Sequence, residues 1–183
     1  FRGTELGDKT VGIIGCGNMG SAFAQRLSGF GCKVLGYDKY LPLQNSSIYT
    51  RVPLDELFSQ CDVVSLHVPL TKETRKFYDY SFFRQFNRPV MLLNSARGEV
   101  LPLQDLVKLL KEKKIVGAAL DVFEKEPFTQ LSDNHKDIYE YLIASPLVVL
   151  TPHIAGWSYE SYRRINDILI TKIGRLKATG AFD

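Results

Sequence analysis

Along this chain, short apolar runs rich in β-branched residues alternate with longer stretches whose apolar residues recur at helical spacing. The first pattern predicts strands buried on both faces, and the second predicts amphipathic helices. Val11-Gly12-Ile13-Ile14 reads as a first strand, followed by a helix over 19–30 with Met19, Phe23, Leu27 and Phe30 on one side. Lys33–Tyr37 is a second strand. Pro42 and Asn45-Ser46-Ser47 then mark a loop before a short helix at 55–59. Asp62–His67 is a third strand, residues 81–86 a weaker helical stretch, and Val90–Asn94 a fourth strand. The next helix opens near Pro102 and places Leu103, Leu106, Val107 and Leu110 on one face. Ile115–Leu120 and Leu147–Leu150 are the fifth and sixth strands. A closing helix begins at Ser158 as N-cap, with Ile165, Ile168, Leu169, Ile173 and Leu176 turned inward. The polar stretch 127–146 fits neither pattern.

Six strands alternating with helices predict an α/β fold, a doubly wound parallel sheet of the Rossmann type with helices on both faces. At 183 residues, 45% of them hydrophobic, the chain is sized for one globular domain spanning 1–183. No apolar run approaches a membrane span. The first residues hold neither an apolar core nor a cleavage site, and no methionine opens the chain, so it reads as an excised piece without a signal peptide. The net charge of +3 is small and dispersed. Its densest basic run, Lys111-Glu112-Lys113-Lys114, closes a predicted helix, where cations complement the dipole. Neither nucleic acid nor membrane is expected as a partner. Cys16, Cys32 and Cys61 form no C-x-x-C pair, which points to a reducing, cytoplasmic setting without a disulfide framework or a metal site.

Gly15-Cys16-Gly17-Asn18-Met19-Gly20 directly follows the first strand and opens the first helix. Alone, G-x-G-x-x-G is a weak signal, but between strand and helix it becomes a dinucleotide fingerprint. Gly15 allows the tight turn, Gly17 lets the backbone approach a pyrophosphate, and Gly20 lets helix pack closely on strand. The amides of Asn18 and Met19 lie at the positive helix end, aimed at phosphate oxygens. Asp38 ends the second strand, 18 residues beyond Gly20. A carboxylate there accepts hydrogen bonds from ribose hydroxyls and repels a 2′-phosphate. It favours NAD over NADP, with adjacent Lys39 softening the discrimination.

Three later side chains carry candidate chemistry. Arg97, in Asn94-Ser95-Ala96-Arg97-Gly98, follows a buried strand, and a guanidinium can clamp a carboxylate with two parallel hydrogen bonds. His153 follows Thr151-Pro152 after the sixth strand and is a natural proton donor near neutral pH. Glu126 could stabilise its imidazolium and orient the ring, although Glu124 competes on composition alone. Each has a bland reading as well: a surface arginine, a structural histidine, a solvated loop glutamate.

The phrases Thr10-Val11-Gly12-Ile13-Ile14-Gly15, His67-Val68-Pro69-Leu70-Thr71, Asn94-Ser95-Ala96-Arg97-Gly98, Gly117-Ala118-Ala119-Leu120-Asp121-Val122-Phe123 and Thr151-Pro152-His153-Ile154-Ala155-Gly156-Trp157, in this order, resemble the D-isomer-specific 2-hydroxyacid dehydrogenases. The phosphoglycerate dehydrogenase-like branch is nearest. The resemblance implies that Arg97 clamps the substrate carboxylate, that His153 is the acid/base and that Glu126, rather than Glu124, is its partner. It places Asn18, Met19, Asp38, Val68, Pro69, Ser95, Ala96 and Asp121 at cofactor-contacting positions, with Arg97, His153 and Gly156 beside them. Asp121 would hold the nicotinamide amide. The interval from Glu126 to His153 is longer than the family pattern, so a short added helix or loop is expected around 129–141, with a dimer interface as its candidate location. The family's separate substrate domain has almost no counterpart in this chain.

The expected chemistry is hydride transfer between NAD(H) and a D-2-hydroxy acid/2-oxo acid pair, in a homodimeric enzyme. The fragment itself should bind NAD with little or no turnover. An alternative from another class is an NAD-sensing, corepressor-like binding module of the same fold.

Overall fold

The computed structural model describes residues 3–42, 46–124 and 133–179. Among them, seven strands form one parallel sheet: β1 (Thr10–Ile14), β2 (Lys33–Tyr37), β3 (Thr50–Arg51), β4 (Val63–Leu66), β5 (Val90–Asn94), β6 (Ile115–Leu120) and β7 (Val148–Leu150). Their order is β3-β2-β1-β4-β5-β6-β7, so the winding reverses between β1 and β4. This is the doubly wound architecture read from the sequence, with one strand more. The added strand β3 is two residues long and pairs only through Leu35 with Thr50 and Gly36 with Arg51. Too short for a period, it exists because β2 offers it an edge.

The helices are α1 (Asn18–Leu27), α2 (Leu54–Gln60), α3 (Tyr80–Arg84), α4 (Leu103–Lys111), α5 (Asp133–Ala144) and α6 (Tyr159–Ala178). Strand side chains alternate between faces. Ile14, Leu35, Val64, Leu66, Leu92 and Leu120 therefore belong to one buried cluster, and Val11, Ile13, Val34 and Val63 to another. The larger cluster is filled by Leu57 and Phe58 of α2, by Phe82 and Phe83 of α3, and by Leu103, Leu106, Leu109 and Leu110 of α4. Burying each of these side chains stabilises the fold by about 1.5–3 kcal/mol. Phe82 meets the rings of Phe58, Tyr78 and Phe83 edge-on at 5.0–5.3 Å, the arrangement that aromatic quadrupoles favour.

Three helix expectations need correction. First, α1 stops at Leu27, and a single 3₁₀ turn, Ser28–Phe30, follows before Gly31 with φ +70°. Its buried face is Gly20, Ala24 and Leu27 with Phe23 partly covered, while Met19 and Phe30 are exposed. The helix lies so close to the sheet that small residues must face it. Second, the stretch expected at 81–86 is α3, begun by Asp79, whose carboxylate accepts from Phe82 N at 2.9 Å. Third, α4 opens at Pro102 as expected, with Pro102 its N-cap, but Leu109 joins its buried face while Val107 is only partly covered.

Of the short helix or loop expected around 129–141, the described part is helical and belongs to α5. Its Tyr139 and Leu142 are buried in the larger cluster, and the Tyr139 ring centroid lies 5.7 Å from that of Phe123.

The chain divides into two compact units, Phe1–Leu150 and Thr151–Asp183. The second consists of a loop and α6. Ser158 caps the helix as expected: its hydroxyl accepts from Ser161 N, and Ser158 N donates to Ser161 Oγ, both at 3.1 Å. The inward face is a second outcome and differs from the sequence reading. Ile165, Ile168, Leu169, Ile173 and Leu176 are all exposed, and α6 buries none of its residues. Periodicity marks a face that packs, but it does not name the surface that covers it.

Candidate functional site

The fingerprint turn is built by close backbone approach. Gly15 has φ +94°, and its N–H donates to Tyr37 O at 2.8 Å, locking the turn onto the end of β2. A Cβ on Gly15 would collide with the His67 carbonyl that follows β4, and one on Gly20 would collide with the Gly15 carbonyl. A Cβ on Gly17 would project into open space. Gly17 is also the N-cap of α1 and brings no side chain to the amides of Asn18 and Met19, so these donors await an acceptor from outside the helix. The Ser21 hydroxyl braces the turn from behind, donating to Cys16 O at 2.9 Å.

Asp38 stands at the end of β2 and ties two loops together. Its Oδ2 accepts from Cys16 N and its Oδ1 from Tyr40 N, both at 2.9 Å. An ionised carboxylate has about four lone-pair sites, so both oxygens keep acceptor capacity. Arg51, buried below, holds the loop by donating to the carbonyls of Asp38 at 3.1 Å and Leu41 at 3.0 Å.

A cleft of about 350 Å³ opens at this edge of the sheet, and Gly15, Gly17, Asp38, Val68 and Pro69 all line it. It lies where β1 and β4 part, the crevice in which doubly wound sheets take ligands. His67 also lines it. Its Nε2 is 2.8 Å from Ser65 Oγ and its ring centroid 5.2 Å from that of Phe23. Burial pushes the His67 imidazole below its usual range, so it is an uncharged wall at neutral pH.

Arg97 belongs to a second loop, at the end of β5. Asn94, buried at the strand end, shapes that loop: its side-chain oxygen accepts from Ala96 N at 3.0 Å, and its amide donates to Arg97 O at 3.2 Å. Ala96 is therefore buried, while Ser95 and Arg97 are exposed. Arg97 Nη1 donates to Ala96 O at 2.6 Å. Asp121, buried at the end of β6, donates its N–H to Asn94 O at 3.0 Å. A Cβ on Gly98 would overlap the Phe123 carbonyl and come within 2.6 Å of Glu124 N, so the loops carrying Arg97 and Asp121 run in backbone contact. Glu124 has a structural task there. Its Oε2 accepts from Leu103 N, the first amide of α4, at 3.2 Å, and its Oε1 is 3.4 Å from Lys76 Nζ.

His153 and Gly156 belong to the second unit. His153 has φ +56°, and its N–H donates to Thr151 O at 3.0 Å across Pro152. A left-handed histidine is uncommon, although Lys76 and Lys113 adopt the same conformation here. Gly156 is exposed, and the adjoining turn is closed by Trp157 N donating to Ile154 O at 2.9 Å. Glu126 lies outside the described residues.

A family model described as D-isomer specific 2-hydroxyacid dehydrogenase, NAD binding domain, matches residues 1–155. This chain belongs to that family. It is 41% identical over 87% of its length to a putative 2-hydroxyacid dehydrogenase of Bacillus subtilis (strain 168), covering 44% of that protein. It is 42% identical over 92% of its length to a glyoxylate reductase of Thermofilum pendens (strain DSM 2475 / Hrk 5), covering 48% of it. The crystal structure of a D-isomer specific 2-hydroxyacid dehydrogenase from Lactobacillus delbrueckii ssp. bulgaricus, in its NAD-complexed form, superposes with a TM-score of 0.86 at 33% identity, over 98% of this chain and 56% of that one. The chain thus spans about half the length of the relatives it matches. These relatives are named as dehydrogenases and a reductase, and none supports a corepressor-like module.

The residues of this NAD-binding domain suit the dinucleotide. The open space at Gly17, the uncapped amides of α1 and the carboxylate at the end of β2 match a pyrophosphate followed by a ribose. Among the described residues, no His/Cys/Asp/Glu group could hold a metal ion, and no helix is long and apolar enough to cross a membrane. Sequence reasoning passed over Asn94, Tyr40, Glu73, Thr74, Phe77 and Tyr78, the last five of which line the cleft. Asn94 had a signal, since asparagine at a strand end favours a turn. Tyr40 comes to the cleft from the turn after β2, and the other four only by the path of the loop after β4.

Proposed function

We propose that residues 1–183 are the NAD-binding domain of a D-2-hydroxyacid dehydrogenase whose substrate domain lies outside this chain. The observation that carries the reading is the family match over residues 1–155, supported by the cleft built from the fingerprint turn and Asp38. When bound, the nicotinamide cofactor supplies or accepts the hydride. Gly15, Gly17, Asn18, Met19 and Gly20 form the phosphate cradle. Asp38 binds the adenosine ribose, Val68 and Pro69 line the path beside it, and Asp121 with Ser95 and Ala96 serves the nicotinamide end. Arg97 binds the substrate carboxylate and orients the 2-oxo group. In reduction His153 passes a proton to the forming alkoxide, and in oxidation it takes the hydroxyl proton, with Glu126 stabilising the imidazolium. The protein works in the cytoplasm as a homodimer.

Arg97→Ala tests the assignment. In the longer protein it should lower kcat/KM for a 2-oxo acid by about 10²- to 10⁴-fold, from two charge-assisted hydrogen bonds at roughly 1.5–3 kcal/mol each. In this chain the same change should leave NADH affinity, read by nicotinamide fluorescence, unaltered. Equal loss of both would remove Arg97 from the clamp.

A further inference from the structure

We propose that Glu73 is a specificity residue that keeps this site selective for NAD by withholding Lys39 from the 2′ position of the adenosine ribose. The inference rests on the dinucleotide reading above and adds a residue to it.

By sequence, Lys39 beside Asp38 should weaken discrimination against a 2′-phosphate. The structure removes that cation from service. Lys39 Nζ lies 2.6 Å from Glu73 Oε2, and the Tyr40 hydroxyl donates to the same oxygen at 2.7 Å. All three side chains line the cleft together with Asp38. Lys39 and Tyr40 come from the end of β2, and Glu73 from the loop after β4, 34 residues beyond Lys39. The pair therefore spans the cleft rather than decorating one loop.

Glu73 is also presented by a braced turn. Thr71 N donates to Thr74 Oγ1 at 2.8 Å, Thr74 N to Thr71 Oγ1 at 3.2 Å, and the Thr74 hydroxyl to Pro69 O at 2.6 Å. Pro69 and Thr74 are themselves cleft residues, so the turn that holds Glu73 is part of the wall.

The charge balance sets the consequence. The lining residues include two carboxylates, Asp38 and Glu73, and one side-chain ammonium, Lys39. A 2′-phosphate would meet net negative charge and a lysine already paired with Glu73. An exposed ion pair of this kind adds little stability, so its value lies in what it denies to a ligand. Neutralising Glu73 removes one repulsive charge and releases the lysine in a single step.

The test titrates this chain with NADH and with NADPH, following nicotinamide fluorescence, for wild type, Glu73→Gln, Lys39→Gln and the double variant. Wild type should prefer NADH. Glu73→Gln should lower the ratio of Kd(NADPH) to Kd(NADH) by about tenfold, the effect of one unit charge a few ångströms from a phosphate in a wet cleft. Adding Lys39→Gln should restore the ratio, and Lys39→Gln alone should raise it, because Glu73 then faces the phosphate without its counter-charge. Because Glu73 and Lys39 are both exposed, their variants should keep the wild-type melting temperature. A Glu73→Gln ratio equal to that of wild type overturns the proposal, as does a fall that survives removal of Lys39. Failure of the wild-type chain to bind NADH overturns the dinucleotide reading instead.

Discussion

Replacing the second and the third fingerprint glycine by alanine should have opposite effects, and the contrast separates packing from ligand access. At Gly20 a Cβ would sit 3.1 Å from Ile13 Cγ2 and well inside 3.0 Å of the Gly15 carbonyl oxygen, a backbone atom that cannot rotate away. Helix propensity alone favours alanine over glycine by about 1 kcal/mol. Overpacking costs about 1–3 kcal/mol, and an obstacle made of backbone belongs at the upper end. The clash wins, leaving a net loss of about 2 kcal/mol, or roughly 4–8 °C in Tm for a chain of this size. At Gly17 the added methyl meets nothing, and the backbone, at φ −69° and ψ −161°, accepts alanine. Tm should therefore stay within about 3 °C, because a lost cap preference opposes a gain in unfolded-state entropy. The methyl would nevertheless stand where the pyrophosphate approaches. Losing one charge-assisted amide–phosphate hydrogen bond there costs about 1.5–3 kcal/mol, or tenfold or more in NADH affinity. Thermal melting by circular dichroism and NADH titration of both variants give the answer. A rise in Tm for Gly20→Ala, or wild-type NADH binding by Gly17→Ala, would refute the reasoning.

Two further outcomes follow from the same geometry. Glu124→Ala should cost about 1–2 kcal/mol by uncapping α4, visible as a Tm drop of roughly 2–8 °C, and Glu124→Gln should recover most of it because an acceptor remains. An unchanged Tm for Glu124→Ala would show that the cap is idle. For His67, whose folded pKa burial holds below the ordinary value of 6.5, the unfolded chain takes up the proton first as pH falls. Its contribution is therefore complete above pH 6.5 and is lost as pH drops from there toward the lower folded value, so Tm should fall more steeply below pH 6.5 in wild type than in His67→Gln. Parallel curves would contradict it.

Most of the sheet was legible because parallel strands buried on both faces leave continuous apolar runs, as in Thr10–Ile14 and Val63–Leu66. The fingerprint was legible because a strand, three glycines and a helix must succeed one another at fixed spacing. Residues that depend on contact between distant segments were not legible. Thr50–Arg51 becomes a strand only against β2, and Glu124 becomes a cap only because α4 starts beside it. The α1 error was of another kind. Counting large apolar side chains chose Met19 and Phe30, whereas a helix held against a glycine turn buries Gly20 and Ala24. For α6 the apolar stripe was seen correctly, but a stripe carries no information about its covering surface. Within the candidate site, the strand-end positions of Asp38, Arg97 and Asp121 could be read from the order of motifs. The bonds that aim the Arg97 loop, made by Asn94, could not.

The meeting of Gly98 with the Phe123 carbonyl, together with the bond from Asp121 N to Asn94 O, makes the ends of β5 and β6 one mechanical part. Neither loop can be lengthened, swapped or shifted without dragging its neighbour. Substitutions in the two should therefore fail to add in energy, and a designer who transplants one from a relative must carry the other across with it. Any drift in the chemistry served by this edge of the sheet has to proceed by paired change, or through segments that neither loop touches.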